Sequence, residues 1–447
     1  MKTGNQEVSD FINLNENTQY RKRKYNYVST YFDVFILIIT GLIVFVANSR
    51  NEMLPIIGIG IIIVSLYLCF KVRRNKKLLL LFAIIAFINI SIGITDCINR
   101  GVYVADWQLP LRGTEYNVYT AKSILLFMVI LNVILDIRWL KKKSVNICFY
   151  KIKLHYNPII SLVGILSLFL ILITGYNKDI ISSQGYVSNS NPLYEYAIVI
   201  FAIVWLFSGN KKIINNILIF YGVSFIIYSL SFGDRSAAFM MLLLVFILYF
   251  EKKITIVKLV LFALIAIILS NFIGVIRTGV PLDFYTITKN LIERGFYSDT
   301  VSYSYYSGIT ISVLHHIDSN APKYFFEFLK YQIVGFGINE FGSMAHFVRE
   351  NYSELFNRAG GLYTSSFYAW FGYNGVILSA VIMGIIIRTT YSKVGSFALL
   401  YQILIIVLSL RWYLYNPTGL FRSVFVVGTI LLLLSIGFNS LCKARVN

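Results

Sequence analysis

Residues 53–95 read MLPIIGIGIIIVSLYLCFKVRRNKKLLLLFAIIAFINISIGIT, two apolar runs joined by a basic knot. Each run (53–70 and 78–95) approaches the roughly 20 residues that an α-helix needs to cross the hydrocarbon of a bilayer. The knot between them holds Lys71, Arg73, Arg74, Lys76 and Lys77. Two apolar helices with positive charge concentrated at their bend predict a membrane hairpin whose bend faces the cytoplasm. Working outward, the same alternation recurs to both ends. Further spans are expected at about 31–47, 118–137, 158–175, 193–208, 213–232, 237–250, 257–275, 363–387, 396–413 and 421–441.

The whole composition agrees with this reading. The chain has 447 residues, 57% hydrophobic and only 14% charged. Its mean hydropathy is +0.69. These values define an integral membrane protein. The expected fold is an all-α polytopic membrane domain over 1–447 with about twelve transmembrane helices. Residues 1–30 form a cytoplasmic tail, and 276–362 form one large external segment of short helices. The first apolar run, near Phe32, follows a basic tail without a small-residue cleavage pattern, so it reads as a retained helix. The protein is then expected in the cell (inner) membrane with both termini cytoplasmic and its active site facing the exterior.

The net charge of +19 lies mostly in Lys/Arg clusters beside spans. It therefore speaks for orientation and anionic lipid, and against nucleic acid as a partner. Sorted by side, the charges differ in kind. The inner segments carry 18 Lys and 7 Arg, the outer ones 4 Lys and 10 Arg, and Lys122 lies inside a span. Orientation needs positive charge of either kind, whereas arginine is the better bidentate grip on phosphate. An arginine-rich outer face points to a phosphorylated ligand held there.

Four arginines stand out by position. Arg235 occupies the tight turn Gly233-Asp234-Arg235-Ser236 between two apolar spans, where a charge is expensive and opposes the orientation rule. A local pair with Asp234 or a snorkelling side chain is the bland alternative. Arg277 follows a span directly, and Arg411 and Arg422 bracket another short external turn. Together the four could clamp a pyrophosphate. Arg294, Arg349 and Glu340 lie in the external segment and are candidate substrate contacts. Tyr303, with Tyr297, Tyr305 and Tyr306, offers aromatic faces suited to sugars. An interfacial aromatic belt would serve equally for those rings.

A general base is sought among few histidines. His346 sits in a stretch dense in Gly, Glu and Arg and is the preferred candidate, with His315 or His316 second. The cysteines Cys69, Cys97, Cys148 and Cys442 follow no metal or redox spacing, so no metal, cofactor or disulfide is expected. P-loop, H-E-x-x-H and G-x-S-x-G motifs are lacking. That argues against ATP-driven transport, membrane zinc proteolysis and serine hydrolysis.

Within the external segment, helices are expected at 284–295, 299–317, 322–333 and 340–356. Three local patterns carry a family resemblance: the Gly233-Asp234-Arg235 turn entering an apolar helix, the Gly-rich stretch from Gly335 to Gly342, and Phe371-Gly372-Tyr373-Asn374-Gly375. The spacing from Arg349 to Gly360 adds a fourth. With about twelve spans and one large outer segment before the last three, the chain resembles the Wzy-like polymerases of O-antigen and capsule repeat units. The resemblance implies a GT-C-like fold of the polymerase and ligase branch. It also implies transfer of an undecaprenyl-pyrophosphate-linked glycan onto a sugar hydroxyl of a second lipid-linked repeat unit at the outer leaflet, without metal. Lipid-linked oligosaccharides, membrane lipids, a chain-length regulator and a flippase are the implied partners. Two rival readings are an O-antigen ligase and a lipid-linked oligosaccharide flippase. A transporter needs charges along a mid-membrane cavity, and the span interiors here hold almost none.

Overall fold

A computed structural model describes residues 30–46, 48–102, 111–142, 156–175, 193–209, 211–232, 234–250, 261, 298–335, 342–355 and 360–444. Its described residues are helical, and no strand occurs among them. In chain order the main helices are α1 (Thr30–Val46), α2 (Leu54–Val72), α3 (Lys76–Ser91), α4 (Glu115–Ile134), α5 (Pro158–Thr174), α6 (Leu193–Leu206), α7 (Lys212–Ser231) and α8 (Arg235–Phe250). After them come α9 (Asp299–Ile317), α10 (Ala321–Val334), α11 (Met344–Asn351), α12 (Tyr363–Tyr391), α13 (Ser396–Val407), α14 (Ser409–Trp412) and α15 (Gly428–Ala444). Among the described residues six helices are long and apolar enough to cross a membrane, and five shorter apolar helices accompany them. The expected span at 257–275 falls almost entirely outside the described residues, as does the helix expected at 284–295.

Local sequence explains the helix starts. Asn75 caps α3 by accepting from the amides of Lys77 and Leu78, satisfying donors the helix cannot. Asn157 does the same for Ile159 and Ile160 of α5, with Pro158 in the first turn. Its amide nitrogen also donates to Asn439 Oδ1 at 2.9 Å, tying α5 to α15. Pro55 and Pro322 take the corresponding first-turn places in α2 and α10.

Packing is inside out relative to a water-soluble protein. The helices α5 and α7 turn apolar side chains outward, among them Leu166, Leu170 and Ile173 of α5 and Phe220 of α7. The centre is occupied instead by α9, whose Ser302, Ser304, Ser307, Thr310 and Ser312 are all buried. It packs against α4 and α12, and α10 docks on α12. Small residues bring backbones together where α2 crosses the π-helical continuation of α3, Ile92–Ile98. A Cβ on Gly58 would stand 2.9 Å from the Gly93 carbonyl oxygen, the close approach that membrane helix pairs favour.

Two lysines of the basic knot fold inward. Lys71 is buried, paired with Asp33 of α1 at 2.7 Å and donating to the Asn132 carbonyl at 2.7 Å. Lys77 donates to Gln402 Oε1 at 2.9 Å. A desolvated ammonium needs partners of this kind, which a count of charges along the sequence does not reveal. Asp96 differs from expectation in a similar way. The span read at 78–95 stops just before it, but the helix runs on to Ile98 and buries the carboxylate, which accepts from Thr95 and Ser302.

Candidate functional site

Arg235 begins α8, and the turn before it is built to hold it. Asp234 accepts from the Ala237 amide and the Ser236 hydroxyl, capping the helix. With that carboxylate engaged by the helix end, the Arg235 guanidinium reaches Asp299 instead, 2.8 Å from Nη2 to Oδ2. Arg235 is buried and Asp299 half-buried, so the pair is shielded from screening. Asp299 opens α9, and Tyr303 follows one turn later on the same face. The pairing ties Arg235 to the N-terminal turn of the helix that carries Tyr303, through Asp299, which is not among the candidates read from the sequence.

Arg422 lies in the π-helical segment Gly419–Val427 that leads into α15. Its guanidinium stands over the Tyr331 ring at 5.0 Å and packs on Gly335, the left-handed glycine that ends α10. A Cβ at Gly335 would collide with it at 2.2 Å. The Gln332 side chain donates to Thr418, which in turn donates to the Gly342 carbonyl. Arg411 stands over Tyr415 at 5.0 Å, on the short helix α14, which touches α8. Thus Arg422 meets the Gly335 end of the Gly335–Gly342 stretch, Thr418 and Tyr331 meet the other end, and Arg411 sits on an element packed against the helix Arg235 begins.

The helices α9, α10 and α11 are held together by tyrosine and aromatic contacts. Asp318, just after α9, accepts from Tyr324 at 2.7 Å, from Tyr352 at 2.8 Å and from the Asn320 amide at 2.8 Å. Burial raises this carboxyl, but the three hydrogen bonds together outweigh burial and leave it below the usual carboxylate range. Burial and the bond to Asp318 push the Tyr352 phenol up to about 12. Phe325 and Phe328 of α10 pack on Trp370, and Phe325 also meets Phe371.

His346 lies on α11 with its Nδ1 2.7 Å from Arg349 Nη2. A guanidinium can only donate, so Nδ1 accepts and the ring carries its proton on Nε2. Arg349 also binds Glu350 at 3.2 Å. Arg277, Arg294 and Glu340 lie outside the described residues.

One group of residues escaped notice as a unit. The helix α12 breaks at Phe371 and Gly372, and Gly372 takes φ 60°, ψ −147°, a region open essentially to glycine alone. The break frees a carbonyl, and the His315 ring donates to the Ala369 oxygen. The same ring fills the space where a Gly372 side chain would be, 2.7 Å from the ideal Cβ to Nε2. His316 lies beside it, with Nε2 3.2 Å from the Tyr368 hydroxyl. Its ring stacks on Tyr119 at 5.1 Å and 20°, and Tyr116 tilts over it at 5.5 Å. Tyr119 donates to Glu115 at 2.8 Å. Burial lowers both imidazoles; His315 further lowers His316, and Glu115 opposes that. Both rings are consequently neutral at pH 7. The sequence signal was present in the His315-His316 pair and Gly372, but only folding brings Glu115 and Tyr119 to them.

Among the described residues no group of three or more His, Cys, Asp or Glu side chains is placed to hold a metal ion. Comparisons with family models, curated proteins and solved structures gave no match.

Proposed function

We propose that the chain is a membrane glycosyltransferase that polymerises lipid-linked repeat units. It would take the growing glycan from undecaprenyl pyrophosphate onto a sugar hydroxyl of another lipid-linked unit at the outer leaflet. The observation that carries this reading is Arg235: a buried guanidinium at the end of an apolar helix, aimed by Asp299 toward a helix rich in Ser and Tyr. Such a preorganised cation can stabilise charge developing on a departing pyrophosphate. In this reading the fold is a twelve-span GT-C-like bundle with both termini cytoplasmic. Arg277, Arg411 and Arg422 complete the clamp, and Arg294, Arg349, Tyr303 and Glu340 contact substrate. A flippase and a chain-length regulator act beside it.

The bond that breaks joins the anomeric carbon to the pyrophosphate oxygen, and the electron pair leaves with undecaprenyl pyrophosphate. The bond that forms joins that carbon to the acceptor oxygen, whose proton goes to a base. His346 is the proposed base, through Nδ1. That lone pair is engaged by Arg349 and becomes available when the guanidinium turns to substrate phosphate. His315 and His316 stand about 24 Å along α9 from Asp299, from sixteen residues at 1.5 Å each. The helix α11 meets that same end of α9, where Tyr352 donates to Asp318, so distance from Arg235 does not separate His346 from them.

The test is made in cells that produce the polysaccharide. Arg235→Ala should abolish long polymer while single repeat units still reach the final acceptor. Arg235→Lys, which keeps charge without the bidentate fork, should leave activity at least tenfold down. Loss of single-unit product as well would favour the ligase or the flippase instead.

A further inference from the structure

We infer that the shelf formed by Tyr116, Tyr119 and His316, edged by Glu115 and Tyr368, is a binding subsite for a neutral pyranose ring of the acceptor glycan. The inference rests on the polymerase reading for the identity of its ligand, but on separate residues for its chemistry. Those residues gather at the end of α9 opposite the Arg235–Asp299 pair.

Three properties favour a sugar. The first is shape. Tyr119 and His316 are nearly parallel, and Tyr116 stands at an angle beside them. His316 and Glu115 are exposed and Tyr116 and Tyr119 half-exposed, so the rings can receive the C–H face of a pyranose. The second is the polar rim. A carboxylate has about four lone-pair sites, and the Tyr119 hydroxyl takes one of those on Glu115. Nε2 of His316 is turned to Tyr368, which leaves Nδ1 as the second polar atom of this exposed ring. Carboxylate and neutral imidazole are hydrogen-bonding partners for sugar hydroxyls. The third is rigidity. The glycine-only backbone at Gly372, filled by His315, fixes the neighbouring imidazole before any ligand arrives. An aromatic group beside a carboxylate can also hold a quaternary amine, but two imidazoles that gain charge in mild acid suit a neutral ligand better.

The position fits an acceptor. The shelf lies at the C-terminal end of α9 and the Arg235 pair at its N-terminal end, a separation that a short oligosaccharide can bridge. Because α9 is buried from Val301 to Leu314 apart from Tyr303, such a glycan would run over the surface beside the helix, with its reacting hydroxyl near the arginine and a sugar further along its chain on Tyr119.

The experiment measures binding without turnover. Purified full-length protein in detergent is titrated, by saturation-transfer NMR, with oligosaccharides released by mild acid from the host cell's own surface polysaccharide. Wild type should bind. Tyr119→Ala and His316→Ala should weaken binding about three- to tenfold each, as expected for loss of one aromatic contact. Tyr119→Trp should restore it, and Tyr156→Ala, at a helix start elsewhere, should leave it unchanged. Thermal melts confirm that each variant is folded. Equal binding by wild type and a folded Tyr119→Ala protein would overturn the subsite. So would binding of choline chloride in preference to the saccharides. The two readings fail separately. A wild-type enzyme that polymerises yet shows no dependence on Tyr119 loses the subsite alone. Tyr119-dependent saccharide binding by a protein that polymerises nothing loses the polymerase alone.

Discussion

Two helices of nearly equal length, α5 and α9, are built from opposite materials. α5 is almost wholly aliphatic and exposes Leu162, Leu166, Leu170 and Ile173 at 60%, 61%, 63% and 74%. α9 carries five buried hydroxyl residues and two tyrosines that are almost fully enclosed. In water this arrangement would be costly; in lipid it is the stable one, because hydrocarbon gives polar groups no partner and interior helices do. The contrast teaches where to look for chemistry. Outward helices face the solvent, which is lipid, while the polar interior helix touches Arg235 at one end and presents His316 at the other.

Substitutions can break or sharpen this contrast. The largest effect is expected from Leu166→Lys, which places an ammonium toward lipid and should cost about 3 kcal/mol of insertion free energy. A glycosylation-site insertion assay on this span reads it, and unchanged insertion would remove α5 from the lipid boundary. Next is Ser307→Leu in α9. Overpacking a fully enclosed serine should cost about 1–3 kcal/mol, seen as a lower melting temperature in detergent. Leu166→Ser should change the same melt far less.

The smallest effect is that of pH. His315 and His316 are held below their unfolded value, so the unfolded chain binds protons first as pH falls through about 6.5. Stability is then full above pH 7 and declines in mild acid, by about 1 kcal/mol or less for partly exposed rings. Glu115 opposes the shift on His316. Melts at pH 7.5 and 5.5 should differ in wild type and converge after His315→Gln with His316→Gln.

Much of the fold was legible, since hydrophobic runs of fixed length are what lipid demands of a chain. The expected helices 299–317 and 322–333 appear as Asp299–Ile317 and Ala321–Val334, and Pro322 takes its first-turn place. Helix 340–356 contracts to Met344–Asn351 within the described part. What the sequence hid is long-range pairing. Nothing local couples Arg235 to Asp299 or Lys71 to Asp33, because each pair forms only when distant helices pack. The aromatic shelf was hidden for the same reason: its members come from α4, α9 and α12. Arg235 was legible alone because a cation in a tight turn between apolar runs is costly wherever its partner lies.

The central claim concerns a reaction, and one measurement meets it directly. Purified protein is incubated with the lipid-linked repeat unit from its host, and the products are resolved by gel electrophoresis. The account predicts a ladder of glycans that rise by one repeat unit, lost with Arg235→Ala. An unextended single repeat unit from active, folded wild-type protein would contradict it.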